Sequence, residues 1–179
     1  MNRNELVNLL TKYSPVETSE IRFSKDFLEL LKHPDAYQRY HLPGHLTGSA
    51  LIVDKSREYI LLTHHAKLNK WLQPGGHADG DVNIMRVALR EVVEETGITD
   101  PKVIYQGLFD IDVHRIPGKK DFPQHDHYDV RFLIEADKTL PLTITEESHD
   151  LAWKAVSEVE VITERNESIM RMVRKLNTL

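Results

Sequence analysis

Apolar positions along the chain follow two rhythms, and the change between them divides it. Leu6, Val7, Leu9 and Leu10 recur at helical spacing before Ser14-Pro15 ends the run, which predicts a helix over residues 2–13. A second helix is predicted around Ser24 to Lys32, with Phe23, Phe27, Leu28, Leu30 and Leu31 as apolar contacts. Ser24 reads as its N-cap and His33-Pro34 as its stop, with one more turn over Asp35 to Arg39. Residues 1–44 are too few to bury a core of their own, so they read as a helical extension. Such an extension could cover a sheet, shape a pocket or form a homodimer contact.

From His45 the rhythm shortens. LTGSALIVD and EYILLTHHA read as two strands turning near Lys55-Ser56-Arg57, and Trp71-Leu72-Gln73 leads into a Pro74-Gly75-Gly76 turn. Lys102 to Arg115 reads as one long strand in which Phe109, Ile111 and Val113 alternate with Asp110, Asp112 and His114. After a turn at Pro117-Gly118-Lys119-Lys120, Tyr128, Val130, Phe132 and Ile134 alternate with Asp129, Arg131 and Leu133. Leu151 to Val156 is a short strand, and Ser157 begins a helical turn. An amphipathic helix over Glu164 to Leu176 turns Ile169, Met170, Met172, Val173 and Leu176 inward. Strands, a central helix, more strands and a terminal helix predict an α/β fold with a mixed sheet between helices.

The central helix carries the chemistry. Asp79-Gly80-Asp81 reads as a turn ending in an N-cap at Asp81, and Gly97 as the left-handed residue that stops the helix. Glu91, Glu94 and Glu95 fall within roughly 100° of one another on it, opposite Met85, Leu89, Val92 and Val93. Clustered carboxylates repel, and hard cations such as Mg²⁺ relieve that repulsion. Arg90 stands at i,i+4 to Glu94, the spacing of an ion pair that could orient it. A charged face turned to solvent is the bland alternative.

The stretch from Gly76 to Ile98 resembles the Nudix box, G-x5-E-x7-R-E-U-x-E-E-x-G-U with U aliphatic. Gly76, Arg90, Glu91, Val92, Glu94, Glu95, Gly97 and Ile98 match in register, and Val82 stands where the pattern has its first Glu. The resemblance implies a Nudix-like α/β/α sandwich over residues 45–179. It implies hydrolysis of the pyrophosphate bond in a nucleoside diphosphate linked to another group, with Mg²⁺, or Mn²⁺ in its place. It further implies that Glu91, Glu94, Glu95 and the Gly75 carbonyl hold metal and that Arg90 orients a glutamate. Glu94 is assigned as the general base, with Glu146 and Glu147 as loop alternatives. The loss of the first Glu supports one competing reading, a non-catalytic sensor or interaction module on the same fold. An isomerase on this fold would, by the same resemblance, use a cysteine, and this chain has none.

Composition narrows the partners. A formal net charge of −5 over 179 residues argues against a general nucleic-acid surface. The absence of cysteine removes disulfides and thiolate chemistry. The N-terminal stretch lacks the apolar run of a secretory signal, and nothing approaches a membrane span, so a cytoplasmic protein is expected. Among ten histidines, His64-His65 and His125-Asp126-His127 form clusters without distinctive metal spacing, read as surface or strand-edge residues. His77 follows the box glycine and is a candidate to face phosphate. Lys67, Lys70, Arg115, Lys119, Lys120 and Arg131 are further candidates for phosphate contact, against the plainer reading of solvated charges. Trp71 and Tyr128 are candidates to stack on a base, against ordinary core packing.

Overall fold

A computed structural model describes residues 1–119 and 122–179, so the prediction for Lys120 lies outside the described residues. Helices α1 (Arg3–Thr11) and α2 (Thr18–Leu30) precede strands β1 (Gly44–Val53), β2 (Tyr59–His65), β3 (Lys70–Leu72) and β4 (Gly75–His77). Helix α3 (Ile84–Thr96) follows, then β5 (Lys102–Val103), β6 (Asp110–Ile116), β7 (His125–Glu135) and β8 (Ser148–Ala155). The chain closes with α4 (Val156–Ile162) and α5 (Glu167–Leu176). No helix among the described residues is long and apolar enough to cross a membrane.

Strand β1 is the hub of the mixed sheet. All ten of its residues are buried. It runs parallel to β7 along its whole length, and on its other edge it meets β4 at Thr47–Ser49 and β2 at Ile52–Val53, both antiparallel. Strand β2 continues to β3 and β8, and β7 carries β5 and β6. Successive side chains of a strand face opposite ways, and β1 uses both faces. Ala50 and Ile52 join Leu6, Phe27, Ile84, Val87, Ala88 and Val92 in one apolar cluster, so α1, α2 and α3 cover that face. Leu51 and Val53 join Val159, Ile169, Met172 and Leu176 in the other, beneath α4 and α5. The predicted helix–sheet–helix sandwich is present, with the two N-terminal helices built into one of its layers.

Several local expectations are corrected. Helix α2 starts at Thr18, not Ser24, because the Glu20 carboxylate accepts the N–H groups of Val16 and Glu17 at its first turn. Ser24 lies inside the helix and donates to the Glu20 carbonyl. Pro74-Gly75-Gly76 is not a turn, since Gly75 and Gly76 begin β4. The long strand over 102–115 is two strands, separated where Gly107 takes a φ of 95°. Glu164 and Arg165 have positive φ and stay outside α5, which Asn166 caps.

The largest departure from the apolar–polar pattern is a buried ionic network. Asp110 and Asp112 of β6, Asp129 and Arg131 of β7, and Arg171 and Lys175 of α5 are all buried. Arg171 donates to Asp110 at 2.9 and 2.8 Å and to Asp112 at 2.8 Å, and Arg131 donates to Asp129 at 2.8 Å and Asp110 at 3.1 Å. Lys175 reaches Asp110 at 2.6 Å and also pairs with Glu20 of α2, whose carboxylate accepts from Tyr13. Thr47 and Ser49 of β1 donate to Asp129. Burial alone would raise the Asp110 and Asp112 carboxyls, but Arg131 and Arg171 outweigh it and hold both below the usual range. Arg131 is therefore neither a phosphate contact nor a solvated charge. It is one of the cations that make the centre of this sheet electrically tolerable.

Candidate active site

Helix α3 places its carboxylates against β4. Asn83, not Asp81, caps the helix by accepting the Arg86 N–H at 3.2 Å, while Asp81 accepts the Asn83 N–H and pairs with Arg86. Gly97 closes the helix at φ 76°, the left-handed conformation that its lack of a Cβ allows. The buried stripe is Ile84, Val87, Ala88, Val92 and Thr96, whereas Met85 and Leu89 are only half-buried and Val93 is exposed. That stripe follows i, i+3, i+4, i+8 spacing and sets the helix rotation. Glu91 and Glu95 consequently turn toward β4, and Glu94 turns outward with 61% of its side chain exposed.

Backbone and side chains interlock at this contact. The Gly75 N–H donates to the Glu95 carboxylate at 3.0 Å. Arg90 donates to the His77 carbonyl at 2.9 Å and to the Glu91 carboxylate at 2.6 Å, while its approach to Glu94 is 3.7 Å. The predicted i,i+4 orientation of Glu94 is thus secondary, because Arg90 is committed first to its neighbour Glu91. A Cβ at Gly76 would stand 2.5 Å from the Glu91 carboxylate, so any larger residue there would displace it.

The electrostatics match a cation site. Burial raises the Glu91 carboxyl despite the Arg90 guanidinium beside it. Burial, with Glu91, Glu147 and Glu94 nearby, pushes Glu95 up to about 7 against the opposing Gly75 N–H. The field of Glu147, exposed on the loop before β8, acts on both glutamates, which sequence spacing could not disclose. These oxygens are hard donors, short of positive charge and partly withdrawn from water, so they suit Mg²⁺ or Mn²⁺. The acids flanking Val82 are engaged elsewhere: Asp79 pairs with Arg39 and Asp81 with Arg86. Val82 itself is exposed.

The remaining candidates separate. Trp71 stacks on His64 with ring centroids 5.0 Å apart, and the Lys154 ammonium lies 4.5 Å from the Trp71 ring centroid. Tyr128 packs edge-on against Phe27, and Arg115 pairs with Asp126. His77 does not stand alone. It meets His45 and His127 in a cluster that joins β4, β1 and β7. Burial lowers the basicity of all three rings. The surface or strand-edge reading fails for His127, because β7 and β1 are parallel neighbours and His45 lies directly opposite it.

Residues 44–176 match the NUDIX domain. The chain is 36% identical over 56 residues to an m7GpppN-mRNA hydrolase of Danio rerio, covering 28% of this chain and 19% of that protein. It is 29% identical over 102 residues to the asymmetrical bis(5'-nucleosyl)-tetraphosphatase of Rattus norvegicus, covering 56% of this chain and 66% of that one. The matched stretches thus span less than two thirds of either relative. The crystal structure of a C. elegans Ap4A hydrolase binary complex aligns with a TM-score of 0.58 at 17% identity, over 74% of this chain and 95% of that one. At that identity the likeness shows the fold.

Proposed function

Because the chain belongs to the Nudix family, we propose that it is a divalent-metal-dependent pyrophosphohydrolase acting on a nucleoside diphosphate linked to another group. The observation that carries this reading is the seating of Glu91 and Glu95 against Gly75-Gly76, with Arg90 bridging Glu91 to the β4 backbone. Glu91, Glu94, Glu95 and the Gly75 carbonyl are the proposed ligands of Mg²⁺ or Mn²⁺. A divalent ion held there would neutralise phosphate charge and activate the attacking water. Arg90 and the Gly75 N–H fix the directions of Glu91 and Glu95, which removes reorganisation at the moment of reaction. Glu94, the most exposed of the three, is the proposed acceptor of the water's proton, and Glu147 is the other carboxylate facing the cluster.

The names of the two relatives support a substrate in which a chain of phosphates joins two groups. A hydrolysis panel with Mg²⁺ or Mn²⁺ tests this, with products identified by mass. It should contain dinucleoside polyphosphates, capped nucleotides, nucleotide sugars and ADP-ribose. Metal-dependent cleavage between phosphorus atoms is expected. Cleavage of phosphomonoesters alone, or tight binding without turnover across the panel, would overturn the assignment, and the second result would favour the sensor reading.

A further inference from the structure

Three imidazoles converge beside the carboxylate site. The side-chain nitrogens of His45, His77 and His127 offer ligand atoms that all lie within 4.8 Å of one another. Among the described residues this is the trio of potential metal ligands that meets so closely. The three come from β1, β4 and β7, so the sheet itself fixes their spacing.

His45 gives the cluster its direction. Its Nδ1 faces the His41 carbonyl at 3.3 Å, and a carbonyl can only accept, so Nδ1 carries the proton. Nε2 is then a bare lone pair. That atom is buried, has no hydrogen-bond partner, and belongs to a residue only 1% exposed. An unsatisfied acceptor inside a protein is costly unless something occupies it. A carbonyl holding the far ring nitrogen is also the arrangement that orients a metal-bound histidine.

The neighbouring ring repeats the pattern. His125 shares the β7 face of His127, two residues away, and places its Nδ1 at 2.9 Å from the Pro123 carbonyl. Its bare Nε2 then points at His127 Nε2, 3.3 Å away. Two nitrogens on one tetrahedral ion, each ~2.0–2.1 Å from it, stand about 3.4 Å apart, so the ligand atoms of His45, His77 and His127, within 4.8 Å of one another, would draw together on binding.

We propose that His45, His77 and His127 form a second metal site, separate from the glutamates, for a divalent transition ion of the zinc class. Imidazole nitrogen suits such ions, whereas Mg²⁺ prefers the oxygens of α3. His77 and His127 are partly exposed, which leaves a path from solvent. The site does not depend on the hydrolase reading, because its test reads metal affinity and not turnover.

The full chain, held in excess Mg²⁺, would be titrated with Zn²⁺ by calorimetry and with Co²⁺ by visible absorption. One equivalent is expected, with the intense Co²⁺ bands of a tetrahedral nitrogen site. His77→Gln and His127→Gln should each weaken it by about 100-fold or more, while Glu95→Gln should leave it within about threefold. Ring resonances of His45, His77 and His127 should shift together on Zn²⁺ addition to the unaltered protein, which tests the site even where a variant fails to fold. Absence of a tight equivalent in Mg²⁺, or its loss in Glu95→Gln, would overturn the proposal. So would ring shifts that spare these three histidines.

Discussion

Gly76 has no room for a side chain, because the space a Cβ would fill is the one that the Glu91 carboxylate occupies. Gly76→Ala should fold, since β4 is a short strand on the hub, but should lose at least about tenfold in kcat/KM, roughly 1.4 kcal/mol of barrier. Unchanged kinetics would show that Glu91 can move freely. Glu94→Gln keeps the shape and removes the basic oxygen, so a loss on the order of 10²–10⁴-fold in kcat is expected if Glu94 takes the proton. Removing one charge from a mutually repelling set should leave apo melting unchanged or slightly higher, while the gain in Tm on adding Mg²⁺ shrinks. Parent-like turnover in Glu94→Gln, with a large loss in Glu147→Gln, would transfer the role to the loop. Val82→Glu should change activity by less than about tenfold in either direction. A far larger rise would show that the natural box is impaired.

At the scale of elements, α3 was legible because its signal is contiguous: the apolar stripe, three glutamates and a glycine stop all lie within one helix. Its start was misplaced by two residues, since Asp81 and Asn83 are both competent caps and only the fold shows which one the Arg86 N–H meets. Asn83→Ala should therefore cost about 0.5–2 kcal/mol and lower Tm by a few degrees, with Asp81→Ala acting through its Arg86 pair and costing less. Equal losses for the two would deny Asn83 the cap. Strands β6 and β7 misled for a physical reason. Alternation ordinarily marks one wet face, yet here Asp110, Asp112, Asp129 and Arg131 face Arg171 and Lys175 of α5 across a closed layer. Nothing along the sequence says that two charged stripes will meet. The same holds for His45 and His127, 82 residues apart and opposite one another only because β1 and β7 pair in parallel.

For the molecule as a whole, the ionic network sets the response to acid. Asp110 and Asp112 have folded pKa values below their unfolded ones, so the stability they contribute is complete above the unfolded value of about 3.9 and is lost as pH falls through the folded range. Arg171→Met leaves Asp110 with Arg131 and Lys175 and Asp112 with Arg131, one buried cation short, and should cost about 3–5 kcal/mol near neutrality. The difference between Arg171→Met and the parent should shrink as pH drops below about 4, where the acids protonate in the unfolded chains and in the variant while the parent's folded acids still hold their charge. Denaturant melts of the two proteins at pH 7 and pH 3 would measure this. A difference that is constant with pH would mean that Arg171 stabilises by packing alone.

Lys175 ties Glu20 of α2 and Asp110 of β6 to the last helix, and Arg174 reaches Glu17 at 2.6 Å. Helices α2 and α5, whose apolar side chains belong to opposite clusters, therefore close on each other through charge. One end cannot peel away without leaving a buried ion behind on the other. Native-state hydrogen exchange should then show amides of α2 and α5 opening with one common free energy, although more than 130 residues separate them, while α4 exchanges on its own schedule.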